Sequence, residues 1–192
     1  SDSFVVIKDG KLIWSWYGEY AARNVPHIIF SISKSLTALA ALSLTEDKVL
    51  DLHKPLSYYI PEVKSSAYED ATARNLLDMN VSSNFEENYL AKSGIFHEYR
   101  NATGWNEVDP NNRNDLWNFL PKISKGFEAH GQSIHYCSPH TDLLGWLLER
   151  VSGQRFFEVL ATRILQPCGM EYDAYVTVDF SCLLYTSDAA AE

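Results

Sequence analysis

The sequence predicts an α/β fold of the α+β kind, in which a helical region packs on an antiparallel sheet. Three features indicate it: two short strands at the beginning, an apolar helical run after them, and two further helices late in the chain. With 192 residues, of which 46% are hydrophobic and 13% aromatic, the chain is long enough for one domain with a substantial core. The sequence has no internal repeat and no long linker, so we expect a single domain.

The first element is a predicted β-hairpin. Residues 4–7 and 12–14 are apolar or aromatic, and such short runs are typical of strands. Between them lies an Asp9-Gly10 pair, a combination that favours the tight turn of a two-stranded hairpin.

The second element is a predicted buried helix at residues 27–44. Its residues are apolar or small on every face, and Lys34 is its only charge, so we expect it to lie inside the domain. A turn-rich stretch through Pro55 and Pro61 follows, and then a helix at about residues 71–79.

The second half of the chain is predicted to contain a long loop and two helices. Residues 80–114 are polar and aromatic with little periodicity, which we interpret as an extended surface loop or lid of a length that tends to be functional. A helix at about 139–151 has Ser138 in position to cap it and Gly153 just past its end. A last helix is expected at about 155–165.

Both ends of the chain suggest a piece of a longer protein. There is no initiating Met, and the chain begins at the edge of a strand. Residues 182–192 resemble the translated sequencing-adapter tails of reading frames assembled from metagenomic short reads. We therefore expect a partial domain at 1–180 and a non-native tail at 181–192.

The charge and hydropathy of the chain exclude several classes of partner. The formal net charge is −9, the sequence pI is about 5.1, and no cluster of Lys and Arg stands out, so we expect no binding to nucleic acid or anionic membranes. No apolar run is long enough to span a bilayer, and no signal peptide precedes the first strand. The compartment, cytoplasmic or periplasmic in a bacterial source, and the oligomeric state stay open.

Three cysteines, an odd number without Cys-x-x-Cys spacing, argue against a disulfide scaffold and a structural zinc site. His135, Cys137 and His140 lie close in sequence, and we weigh a metal site there against ordinary polar residues at a helix entrance. The ligand set is incomplete, so we favour the second interpretation and expect no metal and no cofactor.

Ser31 and Lys34 form a candidate nucleophile and its activating partner. Residues three apart share a helix face, so Lys34 comes within reach of the Ser31 hydroxyl. Burial of the Lys34 ammonium is costly unless the group is paired or loses its proton. The N-terminus of the helix also favours an oxyanion at Ser31. In the alternative interpretation, Ser31 caps the helix and Lys34 extends to solvent, since a bare Ser-x-x-Lys occurs by chance about once in such a chain.

The segment around Ser31 resembles a known family. Residues 31–37 read Ser-Ile-Ser-Lys-Ser-Leu-Thr, which resembles the Ser-x-Ser-Lys-Ser/Thr-x-Thr nucleophile segment of class C β-lactamases, their esterase relatives and the 6-aminohexanoate-oligomer hydrolases. Residues 48–62, 71–79, 143–153 and 166–170 resemble later segments of that family in the same order. The resemblance implies a β-lactamase/transpeptidase-like fold, shared with penicillin-binding proteins and incomplete in this chain.

The resemblance also implies a second catalytic element, a Tyr-x-Asn sequence entering a helix. Here the corresponding residues are Tyr136, Cys137 and Ser138. The resemblance implies that Tyr136 shares the acid and base roles with Lys34. Ser138 replaces the usual Asn as a substrate contact, and a serine hydroxyl can still donate a hydrogen bond. The alternative for Tyr136 is an ordinary half-buried aromatic residue.

A further tyrosine that binds the scissile amide in nylon-oligomer hydrolases is best matched by Tyr89. A purely structural role for this aromatic residue stays open. Its neighbours Glu86 and Glu87 are interpreted as the solvated face of a loop.

The function implied by the resemblance is acyl-enzyme formation on ester or amide bonds of a small molecule. The alternatives are a penicillin-recognising sensor, a β-lactamase and a D-amino-acid peptidase. The family's third element, a Lys-Thr-Gly-like or His-x-Gly strand, does not occur before the tail. We therefore expect this chain to be poorly active or inactive, with sheet edges left exposed.

Overall fold

The computed structural model describes residues 3–106, 114–179, 181 and 190–191. The strands are β1 Ser3–Lys8, β2 Lys11–Tyr17, β3 His27–Ile28 and β4 Ala190–Ala191. The α-helices are α1 Ile32–Glu46, α2 Leu56–Tyr59, α3 Ala73–Leu77, α4 Ile95–Ala102, α5 Leu116–Phe119, α6 Ser138–Ser152 and α7 Phe156–Leu160. Single 3-10 turns follow α2 and α5, and a π-helical turn extends α7. Among these described elements, no helix has the length and apolar composition needed to cross a bilayer.

The predicted hairpin is confirmed. Strands β1 and β2 pair antiparallel, and the turn between them has positive φ at Asp9 (51°) and Gly10 (73°), as a two-residue hairpin turn requires. Its large apolar side chains are exposed on both faces, with Phe4, Ile7 and Trp14 each more than half exposed. The helices and this small antiparallel sheet confirm the predicted class, although the core lies among the helices rather than against the hairpin.

Helix α1 is buried on one face only, so the expectation that residues 27–44 would be buried on every face is wrong. The buried face includes Lys34, Thr37 and Leu44, whereas Leu39 and Leu42 on the other face are exposed. Residues 27–28 form a short strand, and the helix begins only after Ser31. Both faces of α1 are therefore apolar, and the described part of the chain covers only the face that carries Lys34.

Helix α6 lies at the centre of the core. Every residue from Ser138 to Leu148 is buried, and the helix packs against α1, α2, α3 and α7. It begins one residue before the predicted start, so Ser138 is its first residue and not its cap, a position that Cys137 takes without a side-chain hydrogen bond. Gly153 ends the helix in the left-handed conformation (φ 70°), as expected.

The predicted surface loop at residues 80–114 is wrong for residues 80–106, and residues 107–113 of that prediction lie outside the described residues. Within the described part of that segment, to residue 106, lies helix α4, and Phe85, Phe96 and Tyr99 join Phe119 in a buried aromatic cluster with ring centroids 5.5–6.2 Å apart. The aromatic residues are spaced irregularly because they come from a turn and a short helix. This is why periodicity did not indicate a core segment.

Helix α4 is fixed to α6 by a buried hydrogen bond. The Tyr99 hydroxyl donates to the Asp142 carboxylate at 2.6 Å, and both side chains are buried. A hydrogen bond to a charged acceptor in the core is stronger than one at the surface. The bond therefore fixes the last turn of α4 relative to the beginning of α6.

Candidate active site

Ser31 stands at the junction between an irregular backbone and helix α1. The residue before it, Phe30, has a positive φ of 42°, which is strained for an aromatic residue. Successive turn hydrogen bonds, from the Ile32, Ser33 and Lys34 amides to carbonyls three residues earlier, continue this turn into the helix. The strained residue therefore turns the chain so that Ser31 lies exposed at the helix N-terminus.

Ser31 Oγ lies within hydrogen-bond distance of two side chains. Lys34 Nζ, one turn along α1, is 3.2 Å away, and the Tyr136 hydroxyl is 2.7 Å away. Lys34 Nζ also lies 5.5 Å from the centre of the Tyr136 ring. Residues distant in sequence, from α1 and from the entrance to α6, thus meet at one oxygen atom.

The capping interpretation of the Ser-x-x-Lys sequence does not describe this geometry. Ser31 makes no side-chain capping hydrogen bond to the helix, and Lys34 is only 8% exposed. Within the described ranges, no carboxylate lies within ion-pair distance of Lys34. The amine is therefore held in the protein with the Ser31 hydroxyl as its neighbour and without a counter-ion.

A cavity of about 450 Å³ opens beside Ser31. Its walls are mainly aromatic, with polar groups at Ser31, Glu87, Arg100 and Ser138; the aromatic lining residues are Phe30, Tyr89, Phe96, Tyr99 and Trp105. An apolar cavity with a few convergent polar groups is the usual form of a small-molecule site. Ser31 is thus shared between the cavity and the hydrogen bond to Tyr136.

Tyr89 lines the cavity, and its hydroxyl donates to Glu87 Oε2 at 2.7 Å. Partial burial, the hydrogen bond to Glu87 and the negative charge of Glu87 raise the pKa of Tyr89 to about 12. The phenol is therefore protonated at neutral pH, and it donates its O–H to Glu87. To reach a bound amide it would have to exchange the Glu87 carboxylate for the substrate.

Ser138 lines the same cavity, and its backbone N–H donates to Glu87 Oε1. Glu87 thus connects the Tyr89 loop to the first turn of α6, so the interpretation of Glu87 as a solvated loop residue is wrong. Sequence reasoning missed Glu87 and Arg100 because both lie in the segment interpreted as a lid. The signal available for Glu87 was its position two residues before Tyr89.

The three residues weighed as metal ligands have other surroundings. The His140 Nδ1 atom lies 3.2 Å from the Tyr68 hydroxyl, and burial together with His135 lowers the pKa of His140 to about 3. Cys137 is fully buried, and burial and the charge of Glu87 raise the pKa of its thiol. No group of three potential metal ligands occurs in the part of the chain that the structure describes.

Known proteins resemble this chain both in sequence and in fold. The family model described as beta-lactamase matches residues 1–181. The chain is 29% identical over 179 residues to the 6-aminohexanoate-dimer hydrolase of Paenarthrobacter ureafaciens, covering 93% of this chain and 45% of that protein. The chain thus spans about half the length of this relative.

Solved structures share the fold. A protein from Bacillus anthracis assigned as a 6-aminohexanoate-dimer hydrolase superposes with a TM-score of 0.85 at 26% identity, over 99% of this chain and 50% of that one. A class C beta-lactamase superposes with a TM-score of 0.70 at 16% identity, over 98% of this chain and 56% of that one. The second likeness is one of fold alone.

Proposed function

The chain belongs to the beta-lactamase family, and on that basis we propose that it is the nucleophile-bearing part of a serine hydrolase that forms an acyl-enzyme on Ser31. The observation that supports this most directly is the meeting of Lys34 Nζ and the Tyr136 hydroxyl at Ser31 Oγ. In this arrangement the amine or the deprotonated phenol can accept the proton of the serine hydroxyl, which activates the serine as a nucleophile.

In the proposed reaction, Ser31 Oγ attacks the carbonyl carbon of an ester or amide, and its proton passes to the Lys34–Tyr136 pair. The tetrahedral intermediate then breaks its bond to the leaving alcohol or amine, which takes that proton from Tyr136. Water attacks the resulting ester on Ser31 in the second half, gives a proton to the same pair, and releases the carboxylic acid as Ser31 recovers its proton.

Two features favour charge separation at Ser31. Lys34 is buried, has no carboxylate partner among the described residues, and directs its Nζ atom to the Ser31 hydroxyl. The Ser31 amide lies at the N-terminus of α1 and has no partner among the described residues, so it is free to donate to an oxyanion. The family's third element would supply the second donor in the longer protein.

The substrate class we propose is a small ester or amide, in line with the likeness to 6-aminohexanoate-dimer hydrolases. The aromatic cavity beside Ser31 suits an apolar acyl chain. Tyr89 and Ser138 are proposed as substrate contacts, the first by donating its phenol and the second through its hydroxyl.

The test is intact-mass spectrometry after exposure to an alkyl fluorophosphonate and, separately, to a p-nitrophenyl acyl ester. We expect one adduct, mapped to Ser31 and absent in Ser31→Ala, with Ser35→Ala as a matched control because Ser35 is an exposed serine on the same helix. Lys34→Ala and Tyr136→Phe should each slow labelling by about 10²-fold or more, the usual contribution of general acid–base catalysis.

The fate of the adduct bears on hydrolase and sensor. Loss of the acyl adduct with time, with release of the acid, indicates a hydrolase. A lasting adduct is the result expected both of the penicillin-recognising alternative and of a hydrolase without its third element. Unchanged labelling in Ser31→Ala, or no adduct on a chain shown by circular dichroism to be folded, would contradict the proposed role of Ser31 in this chain.

A further inference from the structure

Arg100 differs from every other arginine that the structure describes. The guanidinium groups of Arg23, Arg74, Arg150, Arg155 and Arg163 each pair with a carboxylate at 2.5–3.5 Å. Arg100 is half-buried, lines the cavity beside Ser31, and has no ion pair in the described ranges. In a chain with a net charge of −9, an arginine without a carboxylate partner is the exception.

The position of Arg100 is fixed by its neighbour. Tyr99 is tied to the buried Asp142 of α6 by a 2.6 Å hydrogen bond, and it lines the cavity as Arg100 does. Arg100 therefore lies on a helix whose last turn is anchored in the core.

The cavity has both an acidic and a basic side chain in its lining, Glu87 and Arg100. Glu87, at the Ser138 end, already accepts hydrogen bonds from the Tyr89 hydroxyl and the Ser138 amide. Arg100 offers unoccupied guanidinium donors in a setting walled by Phe96, Tyr99 and Trp105. A planar guanidinium pairs best with a carboxylate, in a bidentate geometry, and the aromatic walls strengthen the attraction by excluding water.

The proposed mechanism assigns the cavity to the acyl part of the substrate. Tyr136, which we propose donates to the leaving group, is 2.7 Å from Ser31 Oγ, whereas Arg100 and several aromatic residues line the cavity that opens at Ser31. In this assignment the leaving group lies beside Tyr136, and the acyl part fills the cavity.

We propose that this cavity selects acyl groups that end in a free carboxylate, with Arg100 binding the carboxylate while the scissile carbonyl lies at Ser31. The substrate class is then a mono-ester or mono-amide of a dicarboxylic acid, with an apolar chain between its two ends. This inference rests on the proposed function, because it places the acyl group relative to the Ser31 nucleophile.

The first measurement compares fluorophosphonates with three tails of equal length: ω-carboxyalkyl, alkyl and ω-aminoalkyl. Ser31 Oγ displaces fluoride from phosphorus, so labelling rates measured by intact mass report binding of the tail without needing turnover. We expect the carboxyalkyl probe to label Ser31 about tenfold or more faster than the aminoalkyl probe, the effect of one charged hydrogen-bonded pair.

Variants assign this preference to Arg100. Arg100→Gln should remove it while leaving the rate of the neutral alkyl probe within about twofold, and Arg100→Glu should reverse it. Arg150→Gln is the matched control, because Arg150 lies near the other end of α6 and pairs with Glu62. Labelling by all three probes at equal rates in the unaltered chain would overturn the inference and leave the proposed function standing.

A second measurement does not depend on the nucleophile. Binding of adipamate, hexanamide and 6-aminohexanamide can be followed by the fluorescence of Trp105, which lines the cavity, with Trp105→Phe as the spectral control. Adipamate should bind at least about tenfold tighter than 6-aminohexanamide, and Arg100→Gln should abolish the difference. If no probe labels Ser31, the proposed function fails, and this measurement alone decides the inference: a preference for adipamate supports it, and equal or absent binding overturns it.

Discussion

Helices α1 and α6 each bring one part of the candidate site to Ser31 Oγ, but the protein surrounds them differently. Helix α6 is buried continuously from Ser138 to Leu148, whereas α1 is buried on the face of Lys34 and exposed on the face of Leu39 and Leu42. The helix that follows Tyr136 is therefore packed on all sides along this stretch, although Tyr136 itself is 51% exposed, whereas the helix that follows Ser31 is packed on one side.

The difference indicates that packing around α6 contributes most to the stability of the fold, whereas α1 leaves apolar surface exposed. The exposed face of α1 and both faces of the β1–β2 hairpin carry large apolar side chains, and exposed apolar surface of this kind is typical of interaction sites. The nucleophile thus lies between a buried core and an apolar surface that the described part of the chain leaves exposed. Three measurements test this comparison.

The largest expected effect comes from truncating one leucine in each helix. Leu147→Ala in α6 removes a side chain that is fully buried, so we expect a loss of about 2–5 kcal/mol in the free energy of unfolding. Leu39→Ala in α1 removes one that is 51% exposed, and its cost should stay below about 1 kcal/mol. Urea unfolding followed by circular dichroism measures both, and equal costs would refute the contrast between the helices.

The next effect is a pH dependence of the free energy of unfolding, caused by His140 in the first turn of α6. The pKa of His140 is lowered to about 3 by burial, His135 and His130, so the folded protein keeps this side chain neutral. Between about pH 6.5 and the folded pKa, only the unfolded chain binds the proton, so stability should fall as pH falls, by up to about 1.4 kcal/mol per pH unit.

The measurement is urea unfolding between pH 7 and pH 5 of the unaltered chain and of His140→Gln. Other groups titrate in both proteins, so the difference between the two pH slopes isolates His140. Parallel slopes would mean that α6 tolerates a charge in its first turn and is less rigidly packed than its burial indicates.

The smallest effect concerns the hydrogen bonds that hold the entrance of α6. Glu87→Gln replaces a charged acceptor of the Ser138 amide and the Tyr89 hydroxyl with a neutral one, and we expect a loss of about 1 kcal/mol and faster exchange of the Ser138 amide hydrogen. Glu86→Gln, at an exposed neighbouring residue, is the control. Equal exchange rates in the two variants would show that packing alone fixes this end of the helix.

Much of the secondary structure could be predicted from local patterns. The Asp9-Gly10 turn, the end of α6 at Gly153 and the reach from Ser31 to Lys34 depend on short-range geometry, which the sequence encodes directly. The pairing of Ser31 with Tyr136 was expected only from the family resemblance, because no local pattern relates residues so far apart.

The remaining features depend on tertiary contacts. The aromatic segment before Trp105 forms part of the core because Phe85, Phe96 and Tyr99 find partners that are distant in sequence. For the same reason composition could not show which face of α1 is covered. Arg100 was missed because a charge without a counter-ion is recognised only once its neighbours are known.

The rate at which the Cys137 thiol is modified can report how often the entrance of α6 opens. This thiol is fully buried between Tyr136 and Ser138, and its raised pKa keeps it protonated, whereas Cys168 is exposed. A disulfide reagent can therefore modify Cys137 only when the entrance of α6 opens, and the rate of that modification counts the openings. The rate of Cys137 modification would thus report how often the segment that carries Tyr136 opens, with a native thiol as the labelled group.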